Sequence, residues 1–180
     1  MARKKNSAGQ AGTSGEKGRM INYAVVSALS KATKLADVKM VELQAKIDNF
    51  VPQWDARKMD QVVSFRRALV TGTPGDSVAA IVSFEYEMHF DDKRVVIVEG
   101  KYFVLYSCAS GAELEGFDKE SLTQYAETMG VLNAWPYMRE TIGDVCRRLG
   151  FVGVLLPIWH LPTTLPPKGD AYKMESKGQK

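Results

Sequence analysis

Few side chains in this chain could do covalent or metal chemistry. The 180 residues hold two histidines, His89 and His160, and two cysteines, Cys108 and Cys146. His89 follows Glu85 and Glu87 at two-residue steps. On a strand that spacing puts all three on one face, a donor set able to hold a metal ion. The same mixture is common on the wet side of a strand, and no metal is expected. His160 follows Trp159 among prolines, with no acid beside it. The cysteines are far apart and lack metal-ligand spacing, so both read as free thiols in apolar surroundings. No Gly-x-Ser-x-Gly elbow, Walker loop or dinucleotide fingerprint occurs. The Gly-rich residues 9–18 are not framed by a strand and a helix, so they make no phosphate cradle. The sequence supports neither an enzyme nor a cofactor. What remains is noncovalent chemistry, carried by apolar and aromatic side chains.

Composition permits that. Hydrophobic residues make up 45% of the chain, enough for one domain with a real core. No run of about twenty apolar residues exists to span a membrane. The start, Met1 to Lys5, is basic, and Asn6 to Gly18 is polar and rich in Gly, Ser and Ala. A secretory leader needs an apolar centre there, so a cytoplasmic location is expected. Net charge is +3. Much of the excess lies in the two tails: Arg3, Lys4, Lys5, Lys17 and Arg19 at one end, and Lys168, Lys173, Lys177 and Lys180 at the other. Solvated tails of this kind add weak nonspecific attraction to nucleic acid, and no nucleic-acid function is expected.

The expected organisation is a disordered basic arm over 1–19, a single domain over 20–165 and a flexible polar tail over 166–180. Ile21, Ala24, Val25, Ala28, Leu29 and Ala32 recur at helical spacing, so 20–34 reads as an amphipathic helix. It packs either on its own domain or on a partner. From Val38 the period becomes two: Val41, Leu43, Ala45 and Ile47 alternate with Met40, Glu42, Gln44 and Lys46. That suits a strand with one buried face, with a helix continuing from residue 20 as the alternative. Asn49 to Lys58, with Pro52, reads as a connecting loop. Strands follow over 60–71, 77–90 and 94–107. A Thr73-Pro-Gly-Asp76 type II turn and a tight turn at Asp91-Asp-Lys93 separate them. Strands joined so closely must pair antiparallel.

A long helix then starts after Asp118, a good N-cap, and ends at Gly150. Leu122, Tyr125, Ala126, Met129, Leu132, Ile142, Val145 and Leu149 form its apolar face. Pro136 lies in the middle, between Trp135 and Tyr137. A proline there removes one backbone donor and crowds the preceding turn, at about 3 kcal/mol in an ordinary helix, so a kink is expected. Phe151 to Leu165 is apolar with prolines and should lie extended over the domain. The fold expected is α+β: a four-stranded antiparallel sheet covered on one face by a long kinked helix, with an additional N-terminal helix.

The run Trp135-Pro-Tyr-Met-Arg-Glu-Thr-Ile142, then Arg147-Arg-Leu-Gly-Phe151, then Leu155-Leu-Pro-Ile158, resembles the signature of the SecB family of chaperones. Phe50 and Trp54 are similar to the aromatic pair in that family's crossover loop, and Val98 to Tyr106 to its last strand before the long helix. The resemblance covers about residues 36–160. It implies an ATP-independent holdase that binds unfolded or preprotein clients, assembled as a dimer of dimers. Phe50 and Trp54, then Leu132 and Trp135, become the candidate client contacts, with ordinary burial as the competing role for each.

Two departures matter. Export members carry an acidic sheet face and tail that engage the motor SecA. This chain is basic, and only Glu85 and Glu87 remain as an acidic pair on a face expected to be exposed. The helix at 20–34 replaces the strand with which export members begin. The first argues against SecA coupling, and the second fits a specialised branch, such as a dedicated chaperone or adaptor for an antitoxin.

Overall fold

Alternating apolar residues build the centre of the molecule. In the computed structural model, residues 18–51, 55, 58–70, 77–108, 112–156, 158, 164–165 and 172–177 are described. Trp54, the Thr73 to Asp76 turn and His160 lie outside them. The elements in chain order are β1 (Arg19–Met20), α1 (Tyr23–Ala32), β2 (Thr33–Ile47), β3 (Asp60–Val70), β4 (Ser77–Phe90), β5 (Lys93–Cys108), α2 (Ala112–Glu115), α3 (Lys119–Arg148), β6 (Thr164–Leu165) and β7 (Tyr172–Ser176).

Strands β2 to β5 and β7 form one antiparallel sheet in the order β2-β5-β4-β3-β7. On β4 the residues Val78, Ala80, Val82, Phe84, Tyr86 and Met88 are buried, as are Val96, Val98, Tyr102, Val104 and Tyr106 on β5. The β4–β5 hairpin turns on two residues, with Phe90 opposite Lys93. Asp91 and Asp92 both have positive φ, 48° and 60°. A turn whose twist matches the sheet demands this, and aspartate tolerates it better than most residues.

Helix α3 lies across the apolar face of the sheet, chiefly against β4. Gly130 allows the close approach, since a Cβ there would sit 3.1 Å from the Ala80 Cβ. Asp118 caps the helix by accepting from the Ser121 amide at 2.7 Å. At the other end the Phe151 amide donates to Cys146 O and the Gly150 amide to Arg147 O. Gly150 has φ +92°. This is a Schellman closure, in which the left-handed residue satisfies orphan carbonyls. Pro136 sits inside the helix without ending it.

Tyrosines tie the two layers together. Asn133 Nδ2 donates to Tyr106 Oη at 2.9 Å. Tyr102 Oη and Thr141 Oγ1 share a hydrogen bond at 2.6 Å. Tyr125 Oη and Thr33 Oγ1 share another at 2.6 Å. Burial pushes the pKa of Tyr86 and of Tyr106 up. The 20–34 helix is observed as α1. It packs on α3 of its own domain, burying Val26 and Leu29. Arg19 fastens the entry to it, reaching Glu127 at 2.7 Å and Glu120 at 3.1 Å.

Three expectations need correction. The sheet has five strands, not four. The fifth, β7, comes from residues 172–176, where the sequence shows only a polar tail. Tyr172 and Met174 do alternate with Lys173 and Glu175, but two apolar positions in a lysine-rich tail are too few to announce a strand. Second, β2 begins at Thr33 rather than Val38, directly after α1. Third, β2 has no buried face: from Lys39 to Ile47 every residue is exposed. Its register also shifts between Met40 and Glu42. That irregularity inserts Val41 as an extra residue and puts Met40 on the same side as Leu43, Ala45 and Ile47.

Candidate functional site

The shift in β2 matters because cross-strand partners share a face. Met40 is opposite Tyr102, Leu43 opposite Gly100, Ala45 opposite Val98 and Ile47 opposite Val96. All four partners belong to the buried side of β5. Strand β2 therefore presents an apolar row on the helix side of the sheet, but α3 does not extend far enough to cover it. Met40 is 49% exposed, and Leu35, Leu43 and Ile47 are also open.

Between this row and the second half of α3 lies a groove of about 740 Å³. Met40 and Leu43 line one side, Pro136, Thr141 and Val145 the helix side, and Val154, Leu155 and Leu156 the segment after the helix. Leu155 is 80% exposed. The charged lining includes Arg139, Arg147 and Arg148. Asp144 accepts from Arg147 at 2.8 Å and from Arg148 at 2.9 Å. Chemically this is an open apolar trough with charged borders. It has no nucleophile–base pair and can hold an extended apolar segment without reading its sequence.

The candidate client contacts fall into different settings. Phe50, just past β2, is 81% exposed. Its position is set by the chain before it. The Asp48 amide donates to Val95 O at 2.9 Å, and Asn49 Nδ2 donates to Arg94 O at 2.6 Å. Arg94 bonds the Asp48 carboxylate at 2.5 Å and Glu87 at 2.7 Å, and His89 meets Glu87 at 3.1 Å. Hydrogen bonding from Lys46, then from Arg94, holds the Asp48 carboxyl below its ordinary range. At Glu87 burial opposes ionisation, but hydrogen bonds from Arg94 and His89 outweigh it and hold that carboxyl low as well.

Leu132 is half-buried against the core. Trp135 is 4% exposed and meets Phe65 edge-on at 5.5 Å. In the single chain it is a core residue, and contact with a client through it would require displacement. Cys146 is buried too, and burial pushes its thiol up to about 11.

Glu85 and Glu87 lie on the opposite face of the sheet, half-buried. The structure adds Glu42 and Glu99 to them around a shallow polar pocket of about 380 Å³. Glu85 sits directly opposite Glu99 on β5, a cross-strand pairing that spacing along one strand cannot show. Lys101 neutralises Glu42 at 2.5 Å. Among the described residues no three His, Cys, Asp or Glu side chains come together to hold a metal ion. None of the described helices is long and apolar enough to cross a membrane.

The groove residues Met40, Leu43, Arg139 and Leu155 were missed by sequence reasoning. One signal was present: Met40-Val41 puts two apolar residues in succession inside an alternating strand, the mark of an inserted residue.

No protein-family model and no curated protein matches the sequence. The architecture does match a solved one. The chain is similar to the Mycobacterium tuberculosis Rv1957 SecB-like chaperone, solved in complex with a ChAD peptide from the Rv1956 HigA1 antitoxin. The match has a TM-score of 0.64 at 22% identity and covers 76% of this chain and 97% of that one. The protein is thus built on the fold of a SecB-like chaperone.

Proposed function

We propose that this protein is an ATP-independent chaperone that holds nonnative polypeptide segments. The observation that carries the reading is the open apolar groove between β2 and the second half of α3. A holding chaperone needs apolar surface that accepts many sequences, and methionine and leucine on an open face supply it. Nucleotide is not required, because binding the nonnative state lowers its free concentration by mass action alone. Phe50 and Trp54 are the first candidate client contacts, and Leu132 and Trp135 the weaker ones. Two copies join through their β2 edges, which covers unpaired backbone, and two such dimers form the working tetramer. The acidic pair Glu85 and Glu87 offers a contact for a basic partner surface, the role that a SecA-type motor would take.

A second reading is a dedicated chaperone or adaptor for one partner such as an antitoxin. It is favoured by the peptide bound to the structural neighbour.

One experiment tests the first reading and separates the second. A chemically denatured model client is diluted into excess chaperone, and light scattering follows its aggregation. Suppression by the wild-type chain, lost in Leu43→Asp, is the expected result. Unchanged aggregation at several-fold molar excess defeats the holdase. A pull-down that recovers one stoichiometric partner then supports the adaptor.

A further inference from the structure

The far edge of the sheet carries a short strand, β7, whose Met174 packs half-buried against the core. β3 runs for 11 residues and is paired along its whole length with β4. On its outer side, among the described residues, β7 covers Gln61 to Phe65, with Met174 opposite Val63 and Tyr172 opposite Phe65. β7 is 5 residues long. Lys173 and Glu175 are exposed, Met174 and Ser176 half-buried. Its neighbouring ion pair, Lys177 to Asp60, spans 3.5 Å between exposed groups, a contact of little strength. The edge beneath it is a different kind of surface. Val63 and Phe65 are buried, Phe65 rests on Trp135, and the backbone is straight and in register with β4. A weakly held strand thus lies on a firmly held edge.

We propose that the outer edge of β3 is a binding site for an extended polypeptide segment, and that β7 is its internal occupant, displaced when such a segment binds. This deepens the chaperone reading and rests on it. A strand edge binds through main-chain hydrogen bonds and so accepts many sequences, while alternate side chains add preference. The matching segment is extended, free of proline and about five residues long, as β7 is. It carries apolar side chains at the two positions that Tyr172 and Met174 now fill, and polar ones between them. An internal competitor lowers the apparent affinity for an outside segment in proportion to the time it occupies the site. The edge stays covered when no client is present, and with it the risk of edge-to-edge aggregation.

The test uses the full chain and a permanently unfolded client, reduced and carboxymethylated lactalbumin. Amide exchange is followed with and without client. Exchange at 172–176 should speed up about tenfold or more in the complex, while β4 and β5 stay protected. If the chain captures client and 172–176 keep their protection, this inference falls and the chaperone reading stands. If no client is captured, both fall. A second arm uses Lys173→Pro with Met174→Pro in the full chain, because one of those two amides must face β3. The variant should bind the client at least about tenfold more tightly, the same factor by which displacement frees the edge, and bind a labelled peptide of residues 170–178 that the wild type ignores. Unfolding of the variant would make β7 a structural staple, and assemblies larger than those of the wild type by light scattering would make the edge a self-pairing one. Either result overturns the proposal.

Discussion

At one edge of the sheet β2 runs for 15 residues with no strand outside it among the described residues, and at the other β3 is covered over Gln61 to Phe65 by the 5-residue β7. The open edge is apolar toward the helix, whereas the covered edge is finished with Lys173, Glu175 and Lys177. Exposed edges invite pairing with other chains, and proteins blunt them with charge or with cover. In the reading proposed above, a second copy completes the β2 edge, and β7 keeps the β3 edge in reserve.

The largest way to break this contrast lies beneath the covered edge. Trp135→Ala removes the support of Phe65 and leaves a cavity, at about 3–5 kcal/mol. The urea midpoint should fall accordingly. A loss under about 1 kcal/mol, the range of surface substitutions, would move Trp135 from core pillar to surface contact.

Next comes the attachment of the open edge. Gly100 lies opposite Leu43, and a Cβ there would meet Phe84 Cε1 at 2.6 Å and the Glu42 carbonyl oxygen at 3.0 Å. Gly100→Ala should cost about 1–3 kcal/mol by overpacking and should loosen β2 first. Exchange that rises at β7 instead of β2 would contradict the separation of the two edges.

Leu43→Asp sharpens the contrast without unfolding. The residue is exposed, so stability should move by no more than about 0.5 kcal/mol while client capture drops severalfold. Equal losses of stability and capture would show that the groove is core.

Acid probes the root of the loop that carries Phe50. Asp48 and Glu87 both have folded pKa values below their ordinary 3.8 and 4.5. Their stabilisation is therefore complete above those values and lost as pH falls through the lower folded ones. Exchange at 47–50 should rise in that window before β4 opens.

The smallest effect is expected for Phe50→Ala. Melting should be unchanged, because the ring is exposed, and client affinity should fall modestly.

Much of the fold was legible. Asp118 and Gly150 bracket α3 because capping is local chemistry between residues a few positions apart. The faces of β4 and β5 were legible because each has one buried side and a period of two. Glu85 and Glu87 share a sheet face by the same alternation, whereas Phe50 was singled out by the family resemblance alone. The groove was not legible, because Met40 joins Leu43 only through the register shift against β5, and Leu155 arrives from more than a hundred residues away.

The sequence by itself determined α1, β3, β4 and β5 and where the long helix starts and stops, since capping, turn chemistry and alternation act within a few residues. Only the tertiary structure decided which apolar face is left uncovered and which edge is closed. Those outcomes depend on how far α3 reaches across the sheet and on a backbone pairing between β3 and β7, which side-chain pattern does not encode.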